Sequence, residues 1–257
     1  MFKSASSCFN LEYSQVLYEV KKILSEKRAL NKYSFKNFHA YGMHYINLYY
    51  SPTLISKLYY IPRPQEVRIA CPSLHYLVSP HDHSYNFKTI VLKGRMRNIT
   101  FEKCSKADFS SPFSSWTNYT RENSTTKLWD HYIYHSPLTT IKKEREEEKK
   151  RESSPLEFKE QMYMREACNT LISDKGSYTL SHSQIHTIQV TNFGEKEEEP
   201  TLLFLFQKTD LPEKKGNSNL FLEAGNTTLN QEGMYQKFTE AEFTQVCSSI
   251  SSLLSSS

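Results

Sequence analysis

The strongest constraint on the fold is a series of short runs rich in aromatic and aliphatic residues, spread from about residue 41 to residue 207. The chain holds 17 Tyr and 15 Phe, residue types that favour strands. Short apolar runs bounded by turn residues predict strands. The predicted strands are 41–50, 54–60, 67–70, 74–78, 87–101, 128–135, 158–167, 178–180, 186–192 and 201–207, with Gly94 marking a bulge or tight turn inside 87–101.

Two amphipathic helices are predicted to flank this series of strands. In residues 10–30, apolar side chains recur at three- and four-residue spacing, and Asn10 is the expected N-cap. The same spacing recurs in 239–254, where Thr239 and Glu242 form a predicted capping box. The order of helix, many strands and helix indicates an all-β core with both helices packed outside it.

Charge and cysteine usage narrow the class of protein. The net charge of +4 is too small to argue for a nucleic-acid partner. No apolar run is long enough to predict a membrane span, and the first residues lack the apolar stretch of a signal peptide. The five Cys are widely spaced, which is typical of reduced thiols, so we expect a cytoplasmic protein.

A pair of histidines separated by one residue is the strongest functional signal. His81 and His83 lie in the run Ser79-Pro80-His81-Asp82-His83. Side chains two apart on an extended strand share a side, so the two imidazoles converge. Asp82 points the other way, and we expect it to hydrogen-bond a neighbouring strand or turn. Because imidazole is a common ligand of Fe, Zn, Cu and Ni, the spacing predicts a divalent-metal site.

This stretch resembles the first conserved motif of the cupin superfamily, which is His-x-His, then a Glu, then a Gly. Here the motif matches 81–94, ending at Leu92-Lys93-Gly94. The stretch 176–190 resembles the second motif, in which a third His opens a strand after a turn. The resemblance implies a jelly-roll β-barrel and makes His186 the third metal ligand, with His182 as its rival.

The chain departs from the cupin pattern at the motif glutamate, since Phe87 and Lys88 occupy the positions where it should fall. Two groups of cupins tolerate this loss. One is the thiol dioxygenases, which hold Fe(II) with three His. The other is a group of poorly characterised bacterial cupins that read His-Asp-His-Pro-Trp-Asp-Phe where this chain reads His-Asp-His-Ser-Tyr-Asn-Phe.

The resemblance implies a metal-dependent cupin, and an Fe(II) dioxygenase acting on a small substrate, such as a thiol, is the preferred interpretation. Arg95 and Arg97 are candidates for holding a substrate carboxylate, and Tyr85 for bordering the pocket. One alternative is a non-enzymatic cupin that binds a metal or small molecule and a protein partner. Another is a β-sandwich without metal, which leaves the histidine pair unexplained.

The domain organisation follows from the same pattern. Residues 1–40 form a predicted N-terminal helical segment, and 41–210 a cupin-like barrel with an insertion at about 104–160. Residues 211–257 are the C-terminal tail and helix, with 211–236 expected to be irregular. The insertion includes eleven consecutive charged residues, 142–152. This charge run is predicted to be solvated, with contact to a protein partner as the lesser alternative.

Overall fold

Ten strands and two helices make up the described part of the chain. The computed structural model describes residues 10–38, 42–62, 78–105, 126–135, 156–190, 200–208, 217–225 and 235–255. The helices are α1 (Tyr13–Ser25) and α2 (Glu240–Ser255), and a short 3₁₀ turn covers Asn31–Tyr33. The strands are β1 (His44–Tyr50), β2 (Leu54–Ile61), β3 (Asn86–Lys93), β4 (Arg95–Cys104), β5 (Lys127–His135), β6 (Leu156–Ser173), β7 (Ser177–Leu180), β8 (Ile185–Val190), β9 (Thr201–Lys208) and β10 (Asn217–Glu223).

The strands form two antiparallel sheets of five. The first sheet has the order β1-β2-β9-β3-β7, and the second has the order β10-β5-β6-β4-β8. Consecutive strands from β6 to β10 alternate between the two sheets, so the chain crosses repeatedly from one sheet to the other.

A short extended segment, residues 80–82, completes the second sheet between its two edge strands. His81 forms a bridge to His186 on β8 and another to Leu220 on β10. The His81 amide donates to the His186 carbonyl at 2.9 Å, and the His186 amide donates to the His81 carbonyl at 2.8 Å. The Phe221 amide donates to the Pro80 carbonyl at 2.8 Å. Segment 80–82 therefore acts as a minimal strand that joins β8 to β10.

The strand order is that of a jelly roll. Eight extended segments form the jelly roll when β1, β5 and β10 are set aside. In chain order they are β2, segment 80–82, β3, β4, β6, β7, β8 and β9. In the first sheet, β2 (the first of the eight) pairs with β9 (the eighth), β9 pairs with β3 (the third), and β3 pairs with β7 (the sixth). In the second sheet, segment 80–82 (the second) pairs with β8 (the seventh), β8 pairs with β4 (the fourth), and β4 pairs with β6 (the fifth). Two facing sheets connected in this way confirm the predicted jelly-roll core.

The outer face of the first sheet is covered by the two helices. Side chains alternate between faces along each strand, so Leu58 on β2 and Phe204 on β9 share this outer face. They belong to a buried apolar cluster with Val16 and Val20 of α1 and Ile250 of α2. The expectation that both helices pack outside the β core is therefore confirmed.

The inner face of the same sheet looks into the space between the two sheets. Its apolar members include Tyr59, Phe87 and Leu203 from the first sheet, which pack with Met96 and Ile188 from the second. The residues that alternate with the outer cluster therefore form the core of the jelly roll.

The helix caps match the sequence pattern at one end of the chain and not at the other. Thr239 and Glu242 form the predicted capping box, with the Glu242 amide donating to Thr239 Oγ1 at 3.3 Å and the Thr239 amide to Glu242 Oε2 at 2.8 Å. Asn10 is not the N-cap of α1, because the helix begins at Tyr13 and Glu12 caps it. The Glu12 amide donates to Gln15 Oε1 at 2.9 Å, so a glutamine completes this cap.

Within the described residues, the predicted strands agree with the structure except at their ends and at three places. β6 runs to Ser173, beyond the predicted end at residue 167. The run 87–101 divides at Gly94, whose φ of +81° turns the chain from β3 into β4. A Cβ there would lie 2.8 Å from the Pro200 carbonyl oxygen, so only glycine fits. The predicted irregular tail 211–236 is wrong at β10, which pairs with β5 along its whole length. The runs 67–70 and 74–77 and the charge run 142–152 lie outside the described residues.

A candidate three-histidine metal centre

Three histidines from two parts of the chain meet at one end of the barrel interior. His81 and His83 lie on and just after segment 80–82, and His186 lies on β8. Their ring centroids are 4.7 Å apart for His81 and His83, 4.9 Å for His81 and His186, and 5.1 Å for His83 and His186. One ring nitrogen from each lies within 4.8 Å of the others. The structure thus brings together the three predicted ligands.

The second nitrogen of two of these rings is held by an oxygen acceptor. His81 Nδ1 lies 2.9 Å from the Ser79 carbonyl oxygen, and His186 Nδ1 lies 2.9 Å from Asn98 Oδ1. Neither oxygen can donate, so each Nδ1 carries the proton and each Nε2 keeps its lone pair. Such outer contacts orient histidine ligands in metal sites, and here they aim two lone pairs at the cluster.

The closest approach in the cluster also fits a bound cation. His83 Nε2 and His186 Nε2 are 2.9 Å apart. Two imidazole nitrogens do not hold this separation with opposed lone pairs, so they share either a proton or a cation. Two ring nitrogens this close could both be ligands of one bound ion. Burial lowers the pKa of His81 and so favours the neutral form that binds metals.

Asp82 points away from the three rings and fastens the ligand segment to β10. Its Oδ1 accepts the Asn219 amide at 2.7 Å and its Oδ2 accepts Asn219 Nδ2 at 2.5 Å. This confirms the expectation that Asp82 hydrogen-bonds a neighbouring strand. Asn219 Oδ1 in turn lies 2.8 Å from His131 Nε2 on β5. The residue between the two histidines of the cluster is therefore anchored by a strand that the sequence pattern did not reveal.

Aromatic rings surround the histidines on the side of the first sheet. The Phe87 ring lies 4.6 Å from His83, and the Tyr85 ring lies 4.9 Å from it. Tyr178 on β7 lies 6.4 Å from His186. Burial raises the pKa of both tyrosines above its usual range, so these hydroxyls stay protonated at neutral pH. Tyr85, a predicted pocket residue, is thus next to the metal-facing rings.

A buried lysine on β2 also faces this interior. Lys57 is 3% exposed, and its Nζ donates to Gln207 Oε1 at 3.0 Å. The ammonium lies 5.0 to 5.4 Å from the ring centroids of three tyrosines, Tyr45, Tyr59 and Tyr85. Sequence reasoning missed both Lys57 and Asn98. A lysine inside a mostly apolar strand, two residues before the inward-facing Tyr59 and so on the same face, is the signal that could have found Lys57.

The remaining predicted residues lie elsewhere. Arg95 and Arg97 alternate with the buried Met96 and Asn98, so they occupy the opposite face of β4. Arg97 Nη1 donates to Asn169 Oδ1 at 3.2 Å at the exposed surface. Their role in holding a substrate stays a prediction. His182, the rival third ligand, lies in the turn between β7 and β8 and is not part of the histidine cluster.

Comparison with known proteins gives fold-level likeness at low similarity. No family model and no curated protein matches this chain. A solved Schizosaccharomyces pombe Cnp3 cupin domain aligns at 9% identity and a TM-score of 0.30, over 65% of this chain and 61% of that one. Hydroxypropylphosphonic acid epoxidase from S. wedmorenis aligns at 10% identity and a TM-score of 0.30, over 69% and 56%.

An L-ribose isomerase from Cellulomonas parahominis, solved with L-ribose, aligns at 10% identity and a TM-score of 0.33, over 77% of this chain and 75% of that one. The chain spans about three fifths of the length of the first two structures. Likeness at this level carries no conclusion about activity, and the jelly-roll assignment depends on the strand order alone. Within the described residues, no helix is long and apolar enough to cross a membrane.

Proposed function

We propose that this protein binds one divalent metal ion through His81, His83 and His186 and acts on a small molecule there, as an Fe(II)-dependent dioxygenase of cupin type. The convergence of the three rings, with the Nδ1 atoms of His81 and His186 held by Ser79 and Asn98, carries the proposal. The first oxygen acceptor is a backbone carbonyl and the second a buried amide, so the lone pairs are oriented before any ion binds.

The ligand set suits a divalent ion with open positions, such as Fe(II). Three neutral imidazoles leave a bound divalent ion its full charge, so it can take up a substrate anion and activate O₂ or water. The protein's own part is to orient the rings and to exclude water. His83 and His186 are buried, and Phe87 packs against both rings.

A small thiol is the proposed substrate of this centre. Tyr85, beside His83, borders the space that a ligand would enter. The cytoplasmic location belongs to the same proposal, because the described cysteines Cys168 and Cys247 are free thiols, which suits a reducing compartment. Contact of a protein partner with the charge run 142–152 stays a prediction.

Metal content is the first test. We expect protein purified without added metal to carry iron at close to one ion per chain by elemental analysis. The double variant His81→Ala and His83→Ala should lose it, while His182→Ala, which removes a histidine outside the cluster, should keep it. Metal-free protein that is unchanged by added Fe(II) would contradict the proposal.

Oxygen uptake is the second test and separates two functions. The iron-loaded protein should consume O₂ when cysteine or another small thiol is added, and His186→Ala should not. A protein that holds stoichiometric metal but consumes no O₂ with any small thiol would instead be a non-enzymatic binding module.

A further inference from the structure

Among the described residues, the positive charges that would face the barrel interior with a metal bound outnumber the acids there. A divalent ion on three neutral imidazoles brings two positive charges, and Lys57 brings a third in its protonated form. Within the described part of the chain, no carboxylate forms an ion pair with Lys57, whose only side-chain hydrogen-bond acceptor is Gln207. The acid whose charge reaches His81 is Asp82, and both of its oxygens accept hydrogen bonds from Asn219.

A buried ammonium without a carboxylate is costly, because it loses its hydration without gaining a counter-charge. Burial lowers the pKa of Lys57 to about 7, because the charged form loses its hydration. The ring faces of Tyr45, Tyr59 and Tyr85 attract the ammonium through their quadrupoles. This attraction is weaker than that of a carboxylate carrying a full negative charge. A bound anion would supply that charge.

Lys57 is also placed to reach a ligand held at the histidines. Its Nζ lies 5.4 Å from the Tyr85 ring, and that ring lies 4.9 Å from His83. Its charge also contributes to lowering the pKa of His81. One tyrosine ring therefore separates the ammonium from the metal-facing rings, and a small molecule could contact both.

We propose that the ligand of this protein is a small anion with two functional groups, an inference that rests on the proposed metal site. One group is a donor to the metal, and the other is a carboxylate that pairs with Lys57. A thiol carboxylate has this chemistry. The specificity for the carboxylate end resides in Lys57 on β2, on the opposite sheet from His186, whereas Arg95 and Arg97 occupy the outer face of β4.

The test uses the full-length protein loaded with Co(II), whose absorption spectrum reports a bound thiolate. Two probes of nearly equal size are titrated, mercaptoacetate, which carries a carboxylate, and 2-mercaptoethanol, which is neutral. We expect mercaptoacetate to bind about 10- to 100-fold more tightly, the usual range for a hydrogen bond to a charged group. In Lys57→Met this preference should disappear, while the affinities for Co(II) and 2-mercaptoethanol stay unchanged.

Two further variants control the test. Lys88→Met removes a lysine of β3 whose Nζ donates to the Leu11 carbonyl oxygen near α1, and it should keep the preference. Lys57→Arg keeps the positive charge and should keep part of the preference for mercaptoacetate. If Lys57→Met retains the full preference, or if mercaptoacetate binds wild type no more tightly than 2-mercaptoethanol, the inference is wrong. Failure of wild type to bind Co(II) would instead overturn the metal site itself.

Discussion

The two faces of the first sheet are built by the same strands and differ sharply in chemistry. On β2 and β9, the outer face presents Leu58, Phe204 and other apolar residues to the helices. The inner face of the same strands carries Lys57 and Gln207, both buried. Lys57 and Leu58 are adjacent in sequence, so strand alternation alone divides a mostly apolar outer layer from an inner face that also carries polar groups.

This difference indicates where function lies. The outer face gains stability from close packing, and its composition needs no other explanation. The interior between the two sheets keeps a lysine and an amide from this inner face, together with three histidines from residues 80–83 and β8, where apolar residues would pack at lower cost. Groups that are expensive to bury and that face one another are candidates for binding or catalysis. The comparison therefore predicts that substitutions on the two faces affect different properties.

The largest effect is expected on the outer face. Phe204→Ala removes a fully buried ring that packs 4.4 Å from Phe206, and it should lower the free energy of unfolding by about 3–5 kcal/mol. Metal affinity should change by less than about twofold, since the ring lies on the face away from the histidines. Denaturant unfolding and a metal titration measure the two quantities. A large loss of metal affinity would break the division between the faces.

The next effect is expected at the metal centre. His186→Ala should weaken metal binding by at least about 100-fold, more than the loss of a supporting contact usually costs, because it removes one of three ligands. The control is His182→Ala, which should bind metal like wild type. Competition with a chelator measures both. Equal affinity in both variants would remove His186 from the site.

The buried lysine predicts a pH dependence of stability. Its pKa is about 7 in the folded protein and near 10.5 when unfolded, so between these values the unfolded chain binds more protons. Stability from this group is therefore lowest below pH 7 and is recovered as the pH rises toward 10.5. From pH 7 to 9.5, wild type should gain about 2–3 kcal/mol of unfolding free energy relative to Lys57→Met. Denaturant unfolding at several pH values measures this gain. If the free energy of unfolding changes with pH in the same way for both proteins, the buried lysine does not titrate as expected.

A smaller effect is expected one step away from the metal. Asn98→Ala removes the acceptor of His186 Nδ1, so the ring can rotate or change tautomer. Metal affinity should fall by about 10- to 100-fold. Asn169→Ala is the matched control, because it removes an amide that accepts from Arg97 at the exposed surface. If both variants bind metal equally, Asn98 does not orient the ring.

The smallest effect is expected at the edge of the outer layer. Thr239→Ala removes the capping side chain of α2 and should cost about 1 kcal/mol of stability. Metal affinity should not change. Thermal melts with and without added metal separate the two properties. A lower melting temperature seen only in the metal-loaded protein would contradict a role of Thr239 limited to capping α2.

Local pattern predicted much of the fold because each signal depends on neighbours in sequence. The spacing of apolar residues predicted both helices, and Thr239 with Glu242 predicted the cap of α2. Aromatic and aliphatic runs predicted the strands, and Gly94 marked the turn between β3 and β4. Of the two failures, the missed β10 depends on a partner strand far along the chain, whereas the cap of α1 is local and is formed by Glu12 and Gln15 in place of Asn10.

The candidate site divides in the same way. The alternation of an extended segment was enough to predict that His81 and His83 converge and that Asp82 points to a neighbour. The support of that segment by Asn219, and the approach of Asn98 to His186, could not be predicted from spacing, because both contacts join residues 80 or more positions apart. The resemblance to cupins named His186, and the strand pairing brings its ring to the pair.

By itself, the sequence determined both helices, most of the strands and the fact that two imidazoles share one side of an extended segment, since helix and strand periods are local properties. Only the tertiary structure decided that β8 and β10 enclose segment 80–82 and that Lys57 faces the same interior as the histidines. The physical reason is that strand pairing and sheet stacking depend on contacts between distant segments, which the alternation within any one strand does not specify.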